Sequence, residues 1–438
     1  MAMAMGAVIM ARARRAGNWL ERLRFAPALA NVAALALALR LALRWQHGVA
    51  NYWGEGYGFF WTIAHNIASG RGYVLIEGSL TAFRVPGYPL FLLAVTGGGW
   101  HPWAIVWAGA ALGALTVVAT GLIGRELFGR TAGLFAAGAC ALYPYYLWHD
   151  TALQETALVT CLCAWATLVL LGLEQRGGIW RAVLAAALLA AAVLTRQTVL
   201  PFALFACGWA AWRLAARAGL MRGLLGGAAM LATIGGGLAP WLAYTHREYG
   251  EYVLGSEFGF ALYAGSSPLL FSAYPDGSVD DSREIVWHSL SEAQRQELGK
   301  AQPLARDRWL EREALGEIAG DPVGWTTRAL RKVWIAFRPM PSPLHGAAEN
   351  YAYALAWVPL LLLGLAGLWS ARRDWRRSGL VYAQFVLFAA ITAVLWAQTA
   401  HRVFLDLYLM VFAAGFIAAR LLQPDRDLCQ GIGAKVAE

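Results

Sequence analysis

Long apolar runs, separated by short polar links, recur along the whole chain. Most are about 18 to 22 residues long, the length at which an α-helix crosses a hydrocarbon core of about 30 Å. Helices leave no backbone group unpaired in lipid, so the pattern predicts an all-α, polytopic transmembrane helix bundle of about ten spans, with roughly nine to twelve as the range. The predicted spans are residues 26–45, 103–123, 131–148, 152–172, 180–195, 198–212, 223–244, 351–369, 379–397 and 403–420.

Two longer segments interrupt this bundle and divide the chain into three parts. Residues 1–245 form an N-terminal bundle with a first outer loop at 46–102, residues 246–350 form a small helical outer region, and 351–438 hold the last spans and a tail. In the first loop, apolar residues at helical spacing over 57–69 predict a helix lying at the membrane interface. Gly70 and Gly72 supply its stop.

The outer region 246–350 shows helix signals. Ser289 and Glu292 match a capping box, and Pro303 opens a helix that runs to Gly320. Asp321 and Pro322 then fit the N-cap and first turn of a further helix. We therefore expect a small helical cap here.

Charge fixes the expected orientation. The net charge of +9 comes mostly from arginines, which gather in the N-terminal tail and in short links around 125–130, 176–181, 213–222 and 372–377. With ten spans these links share one side with both termini, and the positive-inside rule makes that side cytoplasmic. The charge is thus a topology signal and not a nucleic-acid footprint. We expect a bacterial inner-membrane protein whose outer segments face the periplasm.

The N-terminus and the cysteines add two expectations. Basic residues precede the first apolar run without a small-residue cleavage site, which indicates an uncleaved anchor. None of the five cysteines lies in the large outer segments, so no disulfide framework is predicted.

Several charged or polar residues lie where spans meet the outer side. An Arg or Asp at a helix centre costs roughly 2.5–3.5 kcal/mol on insertion scales, and less near the ends, so such residues invite a functional explanation. Their shared side is a stronger signal than any one of them. They are Glu55, Arg84, His149, Asp150, Glu155, Arg196, His401, Arg402 and Asp406.

Most of these residues also have a structural explanation. Arg196 and Arg402 could be snorkelling anchors, although Arg196 lies on the side that the positive-inside rule disfavours. Glu55 could cap helix 57–69, and Glu155 could cap helix 152–172. The pair at 149–150 could be a solvated turn, and His401 a boundary histidine.

Taken together, these residues predict chemistry on a lipid-linked anionic substrate. A carboxylate can deprotonate a hydroxyl nucleophile, and arginines can hold a phosphate through paired donors and stabilise the charge that builds as it leaves. A sugar on a polyprenyl phosphate needs both functions, together with an apolar groove for the tail. His149, Asp150 and Glu55 could supply ligands for a divalent cation, but their spacing matches no ligand signature, and we expect no required metal.

Five sequence motifs carry a family resemblance. They are "NIASGRGY" at 66–73, "FRVPGYPLF" at 83–91, "ALYPYYLWHDTALQETAL" at 141–158, "LTRQTVLPF" at 194–202 and "HRVFLDLYLMVFAAGF" at 401–416. With these motifs the chain resembles GT-C-type integral membrane glycosyltransferases, the group of protein O-mannosyltransferases and bacterial lipid A aminoarabinose transferases. The resemblance runs over most of the chain.

The resemblance implies a polyprenyl-phosphate-sugar donor, inverting transfer to a hydroxyl and a catalytic acid in the first outer loop. It puts Glu55 in the acid's place, with Asp150 as the substitute. It puts Arg84, Arg196 and Arg402 in lipid-phosphate places. To these we add Tyr88, His149, Glu155 and His401 as supporting residues. The chain departs from the family's pattern in carrying Glu55 where an Asp, often an acidic pair, is usual, and a single proline, Pro86, where the family has two.

The sequence therefore predicts a membrane glycosyltransferase that moves a sugar from a polyprenyl-phosphate carrier to a hydroxyl of a glycan, lipid or protein on the periplasmic side. A transporter or flippase of lipid-linked sugars is the alternative, because it could use the same arginines and groove. A non-catalytic membrane scaffold is a third candidate, but it would not need Glu55 or the outer arginines.

Overall fold

The computed structural model describes residues 24–75, 84–173, 177–341, 343–395 and 399–422, and these ranges fold almost wholly into helices. The N-terminal arginines up to Arg22, together with Arg176 and Cys429, lie outside them. In chain order the helices within them are α1 Phe25–His47, α2 Gly58–Ala68, α3 Gly87–Thr96, α4 Pro102–Phe128, α5 Arg130–Leu142, α6 Pro144–His149, α7 Thr156–Leu171, α8 Ile179–Thr195, α9 Leu200–Ala218, α10 Leu220–Tyr249, α11 Phe258–Ser266, α12 Val279–His288, α13 Glu292–Lys300, α14 Pro303–Gly320, α15 Pro322–Phe337, α16 Ala347–Ala371, α17 Trp375–Val394 and α18 Asp406–Leu422.

The predicted polytopic helix bundle is confirmed. Each of the ten predicted apolar runs contains a helix, and six helical segments are long and apolar enough to cross a membrane. One run needs correction: residues 131–148 form two helices, α5 and α6, which meet at Pro144. A residue before proline is disfavoured in the helical region, and Tyr143 is extended there (φ −67°, ψ 117°). The six segments are Phe25–His47, Pro102–Phe128, Gln197–Ala218, Leu220–Tyr249, Ala347–Val394 and Thr399–Leu421.

The last helix, α18, is the centre of the bundle. Every residue from Leu405 to Phe412 is at most 1% exposed. Helix α16 packs against it through glycines: a Cβ atom on Gly367 would lie 2.2 Å from the carbonyl oxygen of Phe412. Small residues that let two backbones approach in this way are typical of helix contacts inside membranes.

The arginine-rich links gather at one end of the bundle. Arg377 Nη2 donates to the Glu126 carbonyl, and the Trp212 and Trp375 rings stack with centroids 5.8 Å apart. These contacts join the link after α16 to the ends of α4 and α9. The other end, as the charge pattern predicts, holds the candidate residues between 55 and 84 and those near 155, 196 and 401.

In the first outer loop, the helix predicted over 57–69 is α2, and it ends before Gly70 (φ +78°). Phe60, Trp61 and Ile63 are buried on it. An isolated parallel β-bridge joins Gly56 to Leu153, with Tyr57 N–H donating to the Leu153 carbonyl at 2.9 Å. A Cβ on Gly56 would lie 2.7 Å from that carbonyl oxygen, and its φ is +110°, so glycine is required for the approach.

The outer helices begin largely where the sequence places them. Helix α14 runs from Pro303 to Gly320, and the Asp321 carboxylate caps α15 by accepting from Gly324 N–H at 2.8 Å. The capping box predicted at Ser289 is wrong, because Ser289 follows the end of α12. The box lies two residues later, where Ser291 and Gln294 bond reciprocally.

One lysine holds this outer region on the bundle. Lys332 of α15 is fully buried, and its ammonium donates to the carbonyls of Gly265 (3.0 Å) and Val394 (2.9 Å). Both carbonyls lie at the C-terminal ends of helices, where a cation is stabilised. The contact therefore fixes α11, α15 and α17 relative to one another.

Candidate active site

A large cavity opens at the outer end of the bundle, with an empty volume of about 1560 Å³ including its mouth. One end of the cavity is charged and the other is apolar. The charged residues, together with Tyr57 and His401, come from five separate parts of the chain, although the sequence spreads them over more than three hundred positions. They are Tyr57, Arg84, Glu155, Arg196, Glu257, Arg283 and His401.

An ion pair between α7 and α8 forms the centre of the charged end. Arg196 ends α8 in an extended conformation, and its Nη2 and Nε atoms lie 2.9 and 3.3 Å from Glu155 Oε1. Both side chains are 15% exposed. Burial raises the pKa of the Glu155 carboxyl, but the Arg196 guanidinium lowers it by more. The net pKa therefore lies below its ordinary value. The pair is therefore charged at neutral pH.

Two atoms of this pair keep bonding capacity. Arg196 Nη1 and Glu155 Oε2 are buried, and neither has a hydrogen-bond partner among the residues that the structure describes. Leaving a buried charged donor or acceptor unsatisfied is costly, so these atoms are suited to a ligand that enters the cavity.

Arg84 reaches the cavity because a glycine lets two helix ends meet. A Cβ on Gly87, the first residue of α3, would lie 2.5 Å from the Leu194 carbonyl oxygen near the end of α8. The Arg84 carbonyl accepts from Tyr73 Oη at 2.8 Å, and its guanidinium lies 5.5 Å from the centroid of the Phe59 ring. This packing brings the "FRVPGYP" motif beside Arg196.

The opposite end of the cavity is apolar. Residues of α9 and α17 and of the 3₁₀ segments Gln197–Val199 and Thr399–Leu405 provide most of its surface. The aliphatic and aromatic side chains of this surface include Val199, Phe202, Leu387, Phe388, Ile391 and Phe404. The cavity thus joins an arginine-lined end to a groove that can hold a hydrocarbon chain.

Glu257 and Arg283 form a second ion pair at the outer rim. Arg283 Nη2 donates to Glu257 Oε2, and the Arg283 guanidinium lies 4.2 Å from the centroid of the Phe260 ring. Glu257 precedes α11 and Arg283 lies on α12, so the outer helices close part of the cavity.

Glu55, expected from the family resemblance as the catalytic acid, does not line the cavity. Its Oε2 accepts from Arg44 Nη1 at 2.6 Å, and its Oε1 lies 3.0 Å from His47 Nε2. Burial raises the pKa of Glu55, but its hydrogen bonds with Arg44 and His47 lower it overall. The capping alternative for Glu55 is wrong, because Tyr57 is the N-cap of α2 and no side chain caps the helix.

Asp150, the substitute for Glu55, is enclosed in the bundle. Its Oδ2 accepts from Arg40 Nε at 2.8 Å, and the two side chains are 6% and 0% exposed. A Cβ on Gly113 of α4 would lie within 2.4 Å of both, so the pair packs directly against that helix. Asp150 does not line the cavity.

Arg402 is likewise buried away from the cavity, although its neighbour His401 lines it. Arg402 Nε lies 3.1 Å from Asp406 Oδ1, Nη1 donates to the Ala336 carbonyl at 2.7 Å, and Nη2 donates to Tyr353 Oη at 2.7 Å. Its guanidinium also stacks on the Trp357 ring. These contacts join α15, α16 and α18 and give each guanidinium nitrogen a hydrogen-bond partner.

Among the supporting residues, Glu155 and His401 line the cavity, whereas Tyr88 and His149 do not. Tyr88 is 3% exposed, with its ring centroid 5.0 Å from that of Phe60. His149 stacks on Tyr145, and its Nδ1 lies 2.6 Å from Gln154 Nε2. Within the ranges that the structure describes, no three His, Cys, Asp or Glu side chains gather as a metal-holding group.

Sequence reasoning missed Tyr57, Glu257 and Arg283. Glu257 and Arg283 lie in the polar outer region, where a charged residue is ordinary and gives no signal. The sequence does contain a signal for the burial of Arg40 and Arg44. The two arginines are four residues apart in an apolar span, so they lie on one helix face and need acidic partners.

Residues 88–236, about a third of the chain, match the sequence profile of the dolichyl-phosphate-mannose-protein mannosyltransferase family. A search of curated proteins finds no significant match.

Among solved structures, the apo oligosaccharyltransferase of Archaeoglobus fulgidus has a similar fold (TM-score 0.52, 14% identity), with 95% of this chain and 52% of that chain covered. The chain resembles GT-C-type glycosyltransferases. It spans about half the length of that archaeal enzyme.

Two further structures have lower similarity. One is the oligosaccharyltransferase AglB of Archaeoglobus fulgidus in complex with an inhibitory peptide and a dolichol-phosphate (TM-score 0.49, 16% identity), with 96% of this chain and 52% of that chain covered. The other is ArnT of Cupriavidus metallidurans bound to undecaprenyl phosphate (TM-score 0.36, 17% identity), with 83% of this chain and 73% of that chain covered.

Proposed function

We propose that this protein is an integral membrane glycosyltransferase that moves a sugar from a polyprenyl-phosphate carrier to a hydroxyl group. The observation that carries the proposal is the cavity, which joins two arginines to an apolar groove between membrane helices. A polyprenyl-phosphate sugar has these two parts, an anionic phosphate and a hydrocarbon tail. The family match over 88–236, to proteins named for a dolichyl-phosphate-mannose donor, supports the same donor class.

Arg84 and Arg196 hold the donor phosphate in this proposal. Guanidinium groups bind phosphate through charge-assisted, paired hydrogen bonds. Arg196 has a buried Nη1 donor without a partner in the described chain, and it keeps this donor while paired with Glu155. Arg402 has no part in phosphate binding in this proposal, because each of its guanidinium nitrogens already donates to a protein group.

In the reaction, the acceptor oxygen attacks the anomeric carbon of the sugar, and the bond between that carbon and the phosphate oxygen breaks. The acceptor hydroxyl gives its proton to a carboxylate, and the bonding electrons leave with the polyprenyl phosphate. The two arginines stabilise the negative charge that the phosphate gains. Attack from the side opposite the phosphate inverts the anomeric configuration, as the family resemblance implies.

Glu155 is the carboxylate that we assign as the proton acceptor. It lies in the cavity, its charged form is favoured, and its Oε2 has no partner among the described residues. Glu55, the acid that the family resemblance indicates, is two residues from Tyr57, which lines the cavity, but both of its oxygens are bonded to Arg44 and His47. Matched Gln variants of the two glutamates decide between them.

The active site faces the periplasm of a bacterial inner membrane in this proposal, because the arginine-rich links lie at the opposite end of the bundle. Reporter fusions test this directly. A fusion at Gly379 should behave as cytoplasmic and a fusion at Asp280 as periplasmic. The reverse result at Asp280 would place the cavity on the cytoplasmic side.

A transfer assay in detergent separates the proposal from the flippase alternative. The purified protein is incubated with polyprenyl-phosphate sugars extracted from the host membrane and with the host's envelope glycans, and released polyprenyl phosphate is measured by mass spectrometry. A transferase releases the carrier and labels an acceptor without two compartments, whereas a flippase leaves the donor intact. A donor that remains intact under conditions of proven donor binding would overturn the enzymatic proposal.

A further inference from the structure

A second cavity lies in the outer helical region, against the rim of the first. Its empty volume is about 690 Å³, including the open space at its mouth. Helices α11, α12 and α14 enclose it. Trp287 and Phe260 supply aromatic surface, with ring centroids 6.0 Å apart.

The two cavities share one wall. The Glu257–Arg283 ion pair lines both of them. Glu257 is 9% exposed, and its Oε2 accepts from Arg283. A molecule in the outer cavity therefore lies next to the charged end of the donor cavity, on the side from which an acceptor would approach.

The polar groups of the outer cavity include both donors and acceptors. Asp307 is 8% exposed and uses Oδ1 to accept from Phe260 N–H at 3.0 Å. Asp280 and Glu284 add carboxylates on the open side. Arg306 adds a second guanidinium beside that of Arg283.

This combination fits a saccharide better than an ion. Sugar hydroxyls both donate and accept, so they use carboxylates and a guanidinium at once, and the C–H face of a sugar ring packs on an aromatic ring such as that of Trp287. A divalent cation would need converging oxygen ligands, and Arg283 and Arg306 on the same wall oppose it. An anionic ligand would meet four carboxylates.

We propose that the outer cavity binds the acceptor, and that the acceptor is a saccharide whose ring packs on Trp287 with one hydroxyl directed past the Glu257–Arg283 pair to the donor. The acceptor is then a glycan and not a serine or threonine side chain of a protein. This inference rests on the proposed function, because it takes the donor to lie in the first cavity.

Saturation-transfer NMR on the purified full-length protein in deuterated detergent tests the inference. The probes are mannotriose, maltotriose and chitotriose, with a serine-containing pentapeptide as the competing class. The Trp287→Ala variant removes the ring, and an Asp280→Asn, Glu284→Gln double variant removes two exposed carboxylate charges. Trp334→Ala is the matched control, because Trp334 lies on the neighbouring helix α15, is 64% exposed and lines neither cavity.

At least one trisaccharide should bind the wild type. Its affinity should fall roughly tenfold or more in Trp287→Ala, the scale of a lost aromatic anchor. It should also fall in the double variant and stay unchanged in Trp334→Ala. Undecaprenyl phosphate, titrated in the same samples, should bind all of these proteins equally, which shows that they are folded.

Three results would overturn the inference. In the first, a protein that still binds undecaprenyl phosphate binds no trisaccharide. In the second, trisaccharide binding is insensitive to both cavity variants. In the third, the pentapeptide binds in place of the sugars. Failure of undecaprenyl phosphate to bind the wild type would instead contradict the proposed function itself.

Discussion

Arg196 and Glu155 are joined across the ends of two membrane helices, with Nη2 and Oε1 2.9 Å apart, and each keeps one buried atom without a partner in the described chain. In our proposal, Arg196 binds the donor phosphate with its free donor, and Glu155 accepts the proton of the acceptor hydroxyl with its free oxygen.

The first prediction concerns the proton acceptor. Glu155→Gln keeps size and much of the hydrogen bonding to Arg196 but cannot take a proton. Loss of a positioned base typically lowers the rate by 10²–10⁴-fold, so kcat should fall on this scale while the affinity for undecaprenyl phosphate changes little. Steady-state kinetics and a binding titration on the same preparation measure both.

Glu55→Gln is the matched comparison. Because the Glu55 carboxylate bonds to Arg44 and His47, this variant should keep most of its turnover and lose thermal stability. If Glu55→Gln abolishes turnover while Glu155→Gln is active, the family resemblance indicates the right residue and our assignment is wrong.

The second prediction concerns Arg402. Arg402→Lys keeps the charge but cannot reproduce three contacts made in different directions, so buried acceptors lose their partners. We expect a loss of about 1–3 kcal/mol in the free energy of unfolding. The affinity for undecaprenyl phosphate, measured on the folded fraction, should not change.

Arg420→Lys provides the control, since Arg420 is an exposed residue on the same helix. It should leave the unfolding temperature close to that of the wild type. If Arg402→Lys instead has normal stability but binds undecaprenyl phosphate more weakly, our account is wrong. Arg402 would then bind the phosphate, as the family resemblance implies.

The sequence predicts the apolar spans from periodicity and the Asp321 N-cap of α15 from its capping residues. It also predicts from charge that the candidate residues lie at the end of the bundle opposite the arginine-rich links. It does not predict which outer charges meet. Glu55 and Arg196 look alike in the sequence, as isolated charges at span ends, and only packing decides that Arg44 takes Glu55 while Glu155 takes Arg196. Glu257 and Arg283 can be recognised as cavity residues only from the packing of the outer helices on the bundle.

The third prediction concerns pH. The folded pKa of Glu155 lies below its ordinary value, so its ion pair stabilises the protein above the unfolded carboxyl pKa of about 4.3 and is lost as the pH falls through the lower folded value. Thermal unfolding of wild type and Glu155→Gln is compared from pH 7 to pH 3. The gap between the two unfolding temperatures should be constant above about pH 5 and narrow below it. A gap that stays constant down to pH 3 would show that Glu155 contributes no charge pair.

The most direct measurement is the affinity of the purified protein for undecaprenyl phosphate, compared between wild type and an Arg84→Gln, Arg196→Gln double variant. Arg372→Gln, at the opposite end of the bundle, is the control. Since hydrogen bonds to charged groups contribute about 1.5–3 kcal/mol each, the double variant should bind roughly 100-fold more weakly or worse, with the control unchanged. Equal affinity in the folded double variant and the wild type would show that the phosphate does not bind at these arginines, and the proposed active site would be wrong.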